Sequence, residues 1–115
     1  MSESSQKSIF SQIAAREMSA KFYYEDDEVM VIKDVNPMAP VHVLVIPKQQ
    51  FATLEDIPLE SSLPAKLLTV ARKVAKQLEI EKDYRLVMNV GRRIQQVPHV
   101  HLHLMGGWSH PETEA

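Results

Sequence analysis

Three of the five histidines in this chain lie within one short segment, VPHVHLHLM. His99, His101 and His103 alternate with Val100 and Leu102. On a β-strand, side chains two residues apart point to the same face. The spacing therefore predicts a strand with three imidazoles on one face and apolar side chains on the other, where they can join a core. An imidazole row of this kind is a candidate site for chemistry.

Two kinds of chemistry fit the histidine row. Imidazole is a common zinc ligand, but three rigid positions along one strand lie too far apart to share one ion. A metal site would therefore need another ligand, for which His42 and Asp34 are the candidates. A neutral imidazole is also a nucleophile near pH 7, and neighbouring imidazoles can donate hydrogen bonds to phosphate oxygens. The row would then suit attack on phosphorus in an anionic substrate.

Composition limits the class of protein. The 115 residues have the length of one domain, and 13 Lys+Arg against 15 Asp+Glu give a formal net charge of −2. This balance argues against a nucleic-acid-binding surface, and no apolar run is long enough to span a bilayer. The absence of cysteine excludes disulfides and thiolate chemistry. With no signal-peptide pattern at the N-terminus, we expect a cytoplasmic domain that binds neither nucleic acid nor membrane.

The elements that must hold the histidine row follow from hydrophobic periodicity. An amphipathic helix begins near Ser62, a candidate N-cap, with Pro64 in its first turn. A short helix over 9–18 begins after Ser8. Strands are predicted over residues 22–25, 29–35, 41–47, 84–90 and 97–105, the third of them apolar on both faces and therefore central. This order predicts an α+β fold, with a five-stranded antiparallel sheet, one long helix and a short N-terminal helix.

The histidine segment fits the pattern His-φ-His-φ-His-φ-φ, in which φ is apolar. It is preceded, in order, by SIF, YEDDEV, KDVNPMAPVHVLVIPK and YRLVMN. Together these segments resemble the histidine triad (HIT) superfamily, and in particular its nucleotide-binding branch. The resemblance implies a HIT domain over residues 8–108, between a disordered segment 1–7 and a C-terminal tail 109–115. It also implies a homodimer whose two sheets join edge to edge into a single ten-stranded sheet.

The resemblance further implies a purine nucleotide-binding hydrolase that cleaves nucleoside 5′-phosphoramidates without a metal or other cofactor. In such an enzyme His101 attacks the α-phosphorus and expels an amine, and water then releases the nucleoside monophosphate from a covalent nucleotidyl-histidine. His103 and His42 are matched to donors that bind phosphate oxygens. His99 is matched to a supporting position, whose backbone carbonyl accepts a hydrogen bond from the nucleophilic ring.

The resemblance also implies residues that bind the nucleoside. Asp34 is matched to the carboxylate that accepts both ribose hydroxyls, although the residues alone would make it a turn residue before Asn36-Pro37. Asn89 is matched to a polar residue near the phosphate and ribose. An apolar clamp around the base is matched to Ile9, Phe10, Ile13, Ile32, Val35 and Leu44, each of which is otherwise a core residue.

The loop before the histidine row departs from the family pattern. It reads GRRIQQVP, with a single glycine, and Gln96 stands where the family has a serine near the leaving group. Two alternatives stay open as a result: a dinucleoside polyphosphate hydrolase, since that branch has a glutamine near the triad, and a nucleotide-binding or interaction module with weak catalysis. Ser8 and Ser11 occupy positions where some bacterial relatives have zinc-binding cysteines, so we expect no zinc there.

Overall fold

The computed structural model describes residues 6–109, and most of the predicted terminal segments 1–7 and 109–115 lie outside this range. The elements are α1 (Ile9–Ala14), β1 (Phe22–Glu25), β2 (Val29–Lys33), β3 (Val41–Pro47), a 3-10 turn (Leu54–Asp56), α2 (Leu63–Gln77), β4 (Tyr84–Val87) and β5 (Leu102–Gly106). All strand pairs are antiparallel, in the order β1-β2-β3-β5-β4. The predicted α+β fold is confirmed. None of the helices described is long and apolar enough to cross a membrane.

The principal core lies between α2 and one face of the sheet. Val43 and Val45 of β3 and Leu102 and Leu104 of β5 are buried there, and Val100 joins them. The helix contributes Leu67, Val70, Ala71, Val74 and Ala75. Each large apolar side chain buried in this way stabilises the fold by about 1.5–3 kcal/mol relative to its exposed state. This layer fixes β3 and β5 side by side.

The opposite face of the sheet carries α1 and the candidate site. Leu44 and Ile46 alternate with Val43 and Val45 along β3, so they point to this second face. They form a smaller cluster with Phe10, Ile13, Met30 and Ile32. The central strand is therefore apolar on both faces, as its sequence predicts, and lies between β2 and β5.

Helix α1 is shorter than predicted, since it ends at Ala14 and not at Met18. Arg16 has a left-handed backbone, with φ of 65°. Its N–H donates to the Ile13 carbonyl, and the Glu17 N–H donates to the Gln12 carbonyl. These two bonds are those of a Schellman motif, which closes a helix and turns the chain away.

Strands β2 and β4 also end earlier than predicted, at Lys33 and Val87 rather than at residues 35 and 90. After β2, the Asp34 Oδ1 atom accepts the Asn36 N–H at 2.8 Å, a local turn that competes with strand pairing. At the end of β4, Val87 pairs with His103, near the start of β5. Residues 88–90 therefore find little neighbouring strand to pair with.

The predicted strand over residues 97–105 is wrong at its beginning, because β5 starts only at Leu102. The preceding segment bonds to a loop, through the Val100 N–H and the Phe51 carbonyl at 2.8 Å. Pro47, at the end of the neighbouring β3, has no N–H with which to extend the ladder. Only His103 of the three histidines is therefore on a strand. The predicted alternation is kept all the same, because Val100, Leu102 and Leu104 join the principal core while the His99 and His101 rings contact Phe10 on the opposite face.

Candidate active site

The histidine side chains form a row of rings that begins at α1. The Phe10 ring lies 5.1 Å from that of His101, measured between centroids, and His101 lies 5.1 Å from His103. His103 in turn lies 5.2 Å from His42 on β3. The fold thus brings His42, which is 57 positions before His99 in the chain, into the same row as His101 and His103.

The hydrogen bond made by His101 fixes where its proton lies. Its Nδ1 atom is 2.7 Å from the backbone carbonyl oxygen of His99. A carbonyl oxygen only accepts, so Nδ1 carries the proton, and in the neutral ring Nε2 keeps a free lone pair. The side chain is buried, with 7% of its surface exposed. This is the arrangement that a nucleophilic imidazole requires.

His99 is fully buried and bonded at both ring nitrogens. Its Nε2 atom donates to the Pro47 carbonyl at 2.7 Å, and its Nδ1 atom accepts from the Ser8 hydroxyl at 2.6 Å. Burial lowers the pKa of His99, the nearby His101 lowers it further, and the Pro47 hydrogen bond opposes them. His99 is therefore neutral near pH 7, and it accepts the His101 N–H through its backbone carbonyl.

His42 and His103 form a second pair with a defined proton order. The Met38 N–H donates to His42 Nδ1 at 2.9 Å, so the proton of the neutral His42 ring is on Nε2. That Nε2 atom lies 2.9 Å from His103 Nδ1 and 3.2 Å from Asp34 Oδ2. His103 accepts at Nδ1 and therefore carries its own proton on Nε2. Burial is the main cause that lowers the pKa of His103; the neighbouring histidines lower it as well, and Asp34 raises it.

The two pairs differ in what they can offer to a substrate. His101 presents a lone pair at Nε2, and His103 presents an N–H at Nε2, while the two rings contact each other edge to face. One ring can attack an electrophile, and the other can donate a hydrogen bond to an oxygen on that electrophile. A phosphoryl group, which combines an electrophilic phosphorus with anionic oxygens, matches both.

The same residues include a candidate metal-ligand set. Asp34, His42 and His103 offer ligand atoms that lie within 4.8 Å of one another. A carboxylate with two imidazoles is a donor set that zinc accepts. In the structure, however, these atoms are bonded to one another through the His42 Nε2 proton. An ion could bind only by displacing that proton and separating the two rings.

The residues matched to substrate binding lie in different environments. Phe10, Ile13, Ile32 and Leu44 are buried in the cluster beneath α1, and Phe10 joins this cluster to the histidine row. Ile9 and Val35 are outside it, with 41% and 86% of their surfaces exposed. Asn89 is half-buried and Gln96 is exposed, both on the segment between β4 and β5.

Several residues that complete the site carry no signal in the sequence. Pro47 and Met38 act through a carbonyl and an N–H, which no side-chain pattern reveals. Gln50 accepts from the Ser8 N–H at 2.8 Å and from the Ser11 hydroxyl at 2.7 Å. Ser8 is recognisable as a helix cap, but its bond to His99, 91 positions away, is not.

A cleft of about 500 Å³ opens beside Ser8, between the start of α1 and the loop that precedes the histidine segment. Its lining includes the polar side chains of Gln50 and Gln95 and the basic side chains of Lys7 and Arg92. Lys7 also pairs with Glu17 at 2.6 Å. The cleft therefore combines hydrogen-bonding groups with positive charge, next to the His99 side of the site.

Comparisons with known proteins identify a family and similar folds. The HIT domain family model matches residues 15–110. The purine nucleoside phosphoramidase of Escherichia coli strain K12 is 41% identical over 105 residues, which cover 89% of this chain and 88% of that protein. Among solved structures, a HIT family hydrolase from Legionella pneumophila is 39% identical with a TM-score of 0.84, covering 90% of this chain and 95% of that one. A histidine triad protein from Clostridium difficile also has a TM-score of 0.84, at 36% identity, covering 90% of this chain and 92% of that one.

The chain therefore belongs to the HIT domain family. Within that family it is similar along most of its length to hydrolases, so its general class is that of a HIT family hydrolase.

Proposed function

We propose that this protein hydrolyses the P–N bond of purine nucleoside 5′-phosphoramidates, with His101 as nucleophile. The observation that carries the proposal is the 2.7 Å hydrogen bond from His101 Nδ1 to the His99 carbonyl, because it leaves Nε2 unprotonated. The relative from Escherichia coli, named a purine nucleoside phosphoramidase, supports the choice of bond and substrate class.

The reaction proceeds in two displacements. First, His101 Nε2 attacks the α-phosphorus while the P–N bond breaks, and the leaving nitrogen takes the electron pair of that bond and a proton from the medium. Water then attacks the phosphorus of the nucleotidyl-histidine, loses a proton to the medium, and releases the nucleoside monophosphate with His101 restored. The N–H on His103 Nε2 stabilises the charge that develops on the phosphoryl oxygens. His42 supports it by donating to His103 Nδ1.

Asp34, Asn89 and Gln96 complete the proposed substrate contacts. Asp34 accepts the ribose hydroxyls once its Oδ2 atom exchanges the His42 contact at 3.2 Å for a hydroxyl. Asn89 binds near the ribose and phosphate, and the exposed Gln96 donates to the leaving group. The base lies against the apolar cluster at Phe10, with its clamp formed by Ile9, Phe10, Ile13, Ile32, Val35 and Leu44. Of these, Ile9 and Val35 would border the base from the solvent side.

The active form that we propose is a homodimer. The sheet has two edge strands, β1 and β4, and an edge strand presents unpaired N–H and C=O groups. Pairing one edge with its copy would give the ten-stranded sheet that the family resemblance implies. We further propose that residues 8–108 act as one domain, in the cytoplasm, with no cofactor, metal, nucleic acid or membrane.

The test is hydrolysis of adenosine 5′-phosphoramidate in EDTA by the wild-type protein, by His101→Ala and by Lys73→Ala, a control at an exposed position of α2. We expect metal-independent turnover that is lost only in His101→Ala, while AMP still binds. Wild-type enzyme quenched in denaturant at alkaline pH should carry a nucleotidyl adduct on His101, because the phosphorus–imidazole bond is labile in acid. Turnover that needs a metal, or that survives in His101→Ala, would overturn the mechanism.

A second candidate, hydrolysis of dinucleoside polyphosphates, is favoured by Gln96 in its exposed loop. The same assay with diadenosine polyphosphates distinguishes the two. Preferred cleavage of the polyphosphate, shifted toward the phosphoramidate by Gln96→Ser, would support this alternative. Binding of AMP without turnover of either substrate would indicate a nucleotide-binding module.

A further inference from the structure

A chain of hydrogen bonds runs from the first turn of α1 to the ring of His101. The Ser11 N–H donates to Ser8 Oγ at 3.0 Å, and the Ser8 hydroxyl donates to His99 Nδ1 at 2.6 Å. His99 then donates from Nε2 to the Pro47 carbonyl, and its own carbonyl accepts from His101 Nδ1, both at 2.7 Å. The link between Ser8 and His99 is buried, with both residues almost fully covered.

The direction of each bond in this chain is determined by chemistry. The Pro47 carbonyl can only accept, which puts the His99 proton on Nε2. His99 Nδ1 is then an acceptor, and a hydroxyl is the one group contacting it that can donate there. Gln50 fixes the Ser8 backbone, because its Oε1 atom accepts the Ser8 N–H at 2.8 Å. A His99 ring with its proton on Nδ1 would lose the bond from Nε2 to the Pro47 carbonyl, in a fully buried position.

We propose that Ser8 is a positioning residue for the nucleophile: through its bond to His99 Nδ1 it holds the carbonyl that orients His101. The hydroxyl thus has two separate roles, as the cap of α1 and as the donor to His99 Nδ1, which helps to hold the His99 ring in place while the Pro47 carbonyl fixes its tautomer. The kinetic consequence rests on the proposed phosphoramidate hydrolysis. The effect on the ring nitrogens of His99 and His101 does not depend on that proposed function.

Replacement by glycine separates the two roles of Ser8. Glycine at a helix N-cap costs only a few tenths of a kcal/mol relative to serine, so Ser8→Gly keeps α1 while it removes the donor to His99. Ser62→Gly is the matched control, since Ser62 is the N-cap of α2 and makes no side-chain cap bond. Ser8→Thr keeps the hydroxyl, and Ser8→Cys keeps the volume with a much weaker donor.

In kinetics, we expect kcat of Ser8→Gly to fall about tenfold, the size of one lost hydrogen bond, with KM nearly unchanged. Ser8→Thr should restore kcat, Ser8→Cys should lie between, and Ser62→Gly should match the wild-type protein. Thermal unfolding of each variant measures the loss of stability separately. Equal kcat in Ser8→Gly and Ser62→Gly would overturn the proposal, as would a rise in KM alone.

A readout that does not need turnover is the ring nitrogen spectrum of histidines labelled with ¹⁵N. In the wild-type protein, we expect protonated Nε2 in His99 and protonated Nδ1 in His101. In Ser8→Gly, the His99 proton should stay on Nε2, because the Pro47 carbonyl is still there, but the Nδ1 resonance of His99 should shift to that of a nitrogen that accepts no hydrogen bond. The Nδ1–H signal of His101 should broaden as the His99 carbonyl is held less firmly, and Ser8→Thr should restore both signals. Unchanged spectra would overturn the proposal. Changed spectra in a protein without phosphoramidate turnover would leave the positioning role intact and overturn the proposed function instead.

Discussion

The two histidine pairs of the site are built in opposite ways. His99 and His101 are buried, and both of the carbonyl acceptors they use belong to the main chain. His42 and His103 are also linked to the main chain, through the Met38 N–H, but their pair lies beside the Asp34 carboxylate and His103 is half-buried. A carbonyl forces a proton onto the ring nitrogen that faces it, whereas an N–H keeps a proton off.

This difference assigns opposite tasks to similar side chains. The carbonyl beside His101 Nδ1 leaves a lone pair on Nε2 of that ring. The Met38 N–H beside His42 Nδ1 puts the His42 proton on Nε2, which donates to His103 Nδ1, so that the His103 proton is on Nε2. The first pair also connects to α1 and β3 through the ring of His99, so loss of that ring should damage the fold. The second pair ends at the partly exposed ring of His103, so loss of that ring should damage the chemistry that we propose. Three experiments test this separation.

The largest effect is expected for His99→Ala. Removing a fully buried ring leaves a cavity, leaves the Ser8 O–H without its acceptor and leaves the Pro47 carbonyl without the His99 donor. We expect the free energy of unfolding to fall by about 3–5 kcal/mol, measured by urea denaturation. His103→Ala is the comparison in the same assay and should lose less, about 1–2 kcal/mol, because its side chain is 20% exposed and His42 keeps Asp34 as a partner. Equal losses in the two variants would contradict the separation.

A smaller effect, of the opposite kind, is expected for His103→Ala. If its Nε2 proton stabilises the phosphoryl oxygens, kcat for adenosine 5′-phosphoramidate should fall about 100-fold, as for loss of one oxyanion donor. AMP should still bind to the folded variant. Steady-state kinetics in EDTA measures both constants. A kcat within twofold of wild type would exclude His103 as the donor and leave His42 as the candidate.

The smallest effects concern protonation. Burial lowers the pKa of both His99 and His103 from the ordinary value of 6.5. Near pH 6.5 the unfolded chain therefore binds more protons at these two rings than the folded protein does. The free energy of unfolding should fall as the pH drops below 6.5. Proton NMR titration should give a value below 6.5 for each ring. A value at or above 6.5 for His99 would contradict its buried neutral state.

Asp34→Asn sharpens the same titration. The carboxylate raises the pKa of His103, so its removal should lower that pKa further while that of His99 stays unchanged. Asp27→Asn, in the turn between β1 and β2 at the other end of β2, is the matched control and should move neither ring. Equal movement of His99 and His103 in Asp34→Asn would show that the two pairs titrate as one unit.

The sequence predicts the fold wherever periodicity and burial agree. The sequence predicts strand β3 with its observed ends, because the segment is apolar on both faces and ends at a proline. The start of α2 was predicted from its apolar stripe, although the first N–H is capped by the Ser61 hydroxyl rather than by Ser62. Element ends that depend on a left-handed residue, as at Arg16, were missed since no glycine marks them.

The sequence predicts which side chains form the site, but not which ring nitrogen of each histidine carries the proton. The spacing of His99, His101 and His103 marks them as a group. The sequence does not show that β5 begins only at Leu102, which leaves His99 buried before the strand and His103 partly exposed on it. Val35 is an apolar residue of the kind expected in a core, yet its side chain is largely exposed, because β2 ends before it. Hydrogen bonds between residues far apart in the chain, such as that from Ser8 to His99, leave no local pattern to read.

The use of main-chain groups at Met38 and Pro47 has a consequence for how this site tolerates change. At these two positions the backbone, not the side chain, directs the imidazole protons. A scan of single substitutions would therefore score Met38, whose side chain is largely exposed, as dispensable. Insertion or deletion of one residue in the loop 36–40 would instead move the N–H away from His42. The genetic robustness of the site and its sensitivity to loop length are thus two results of one architecture.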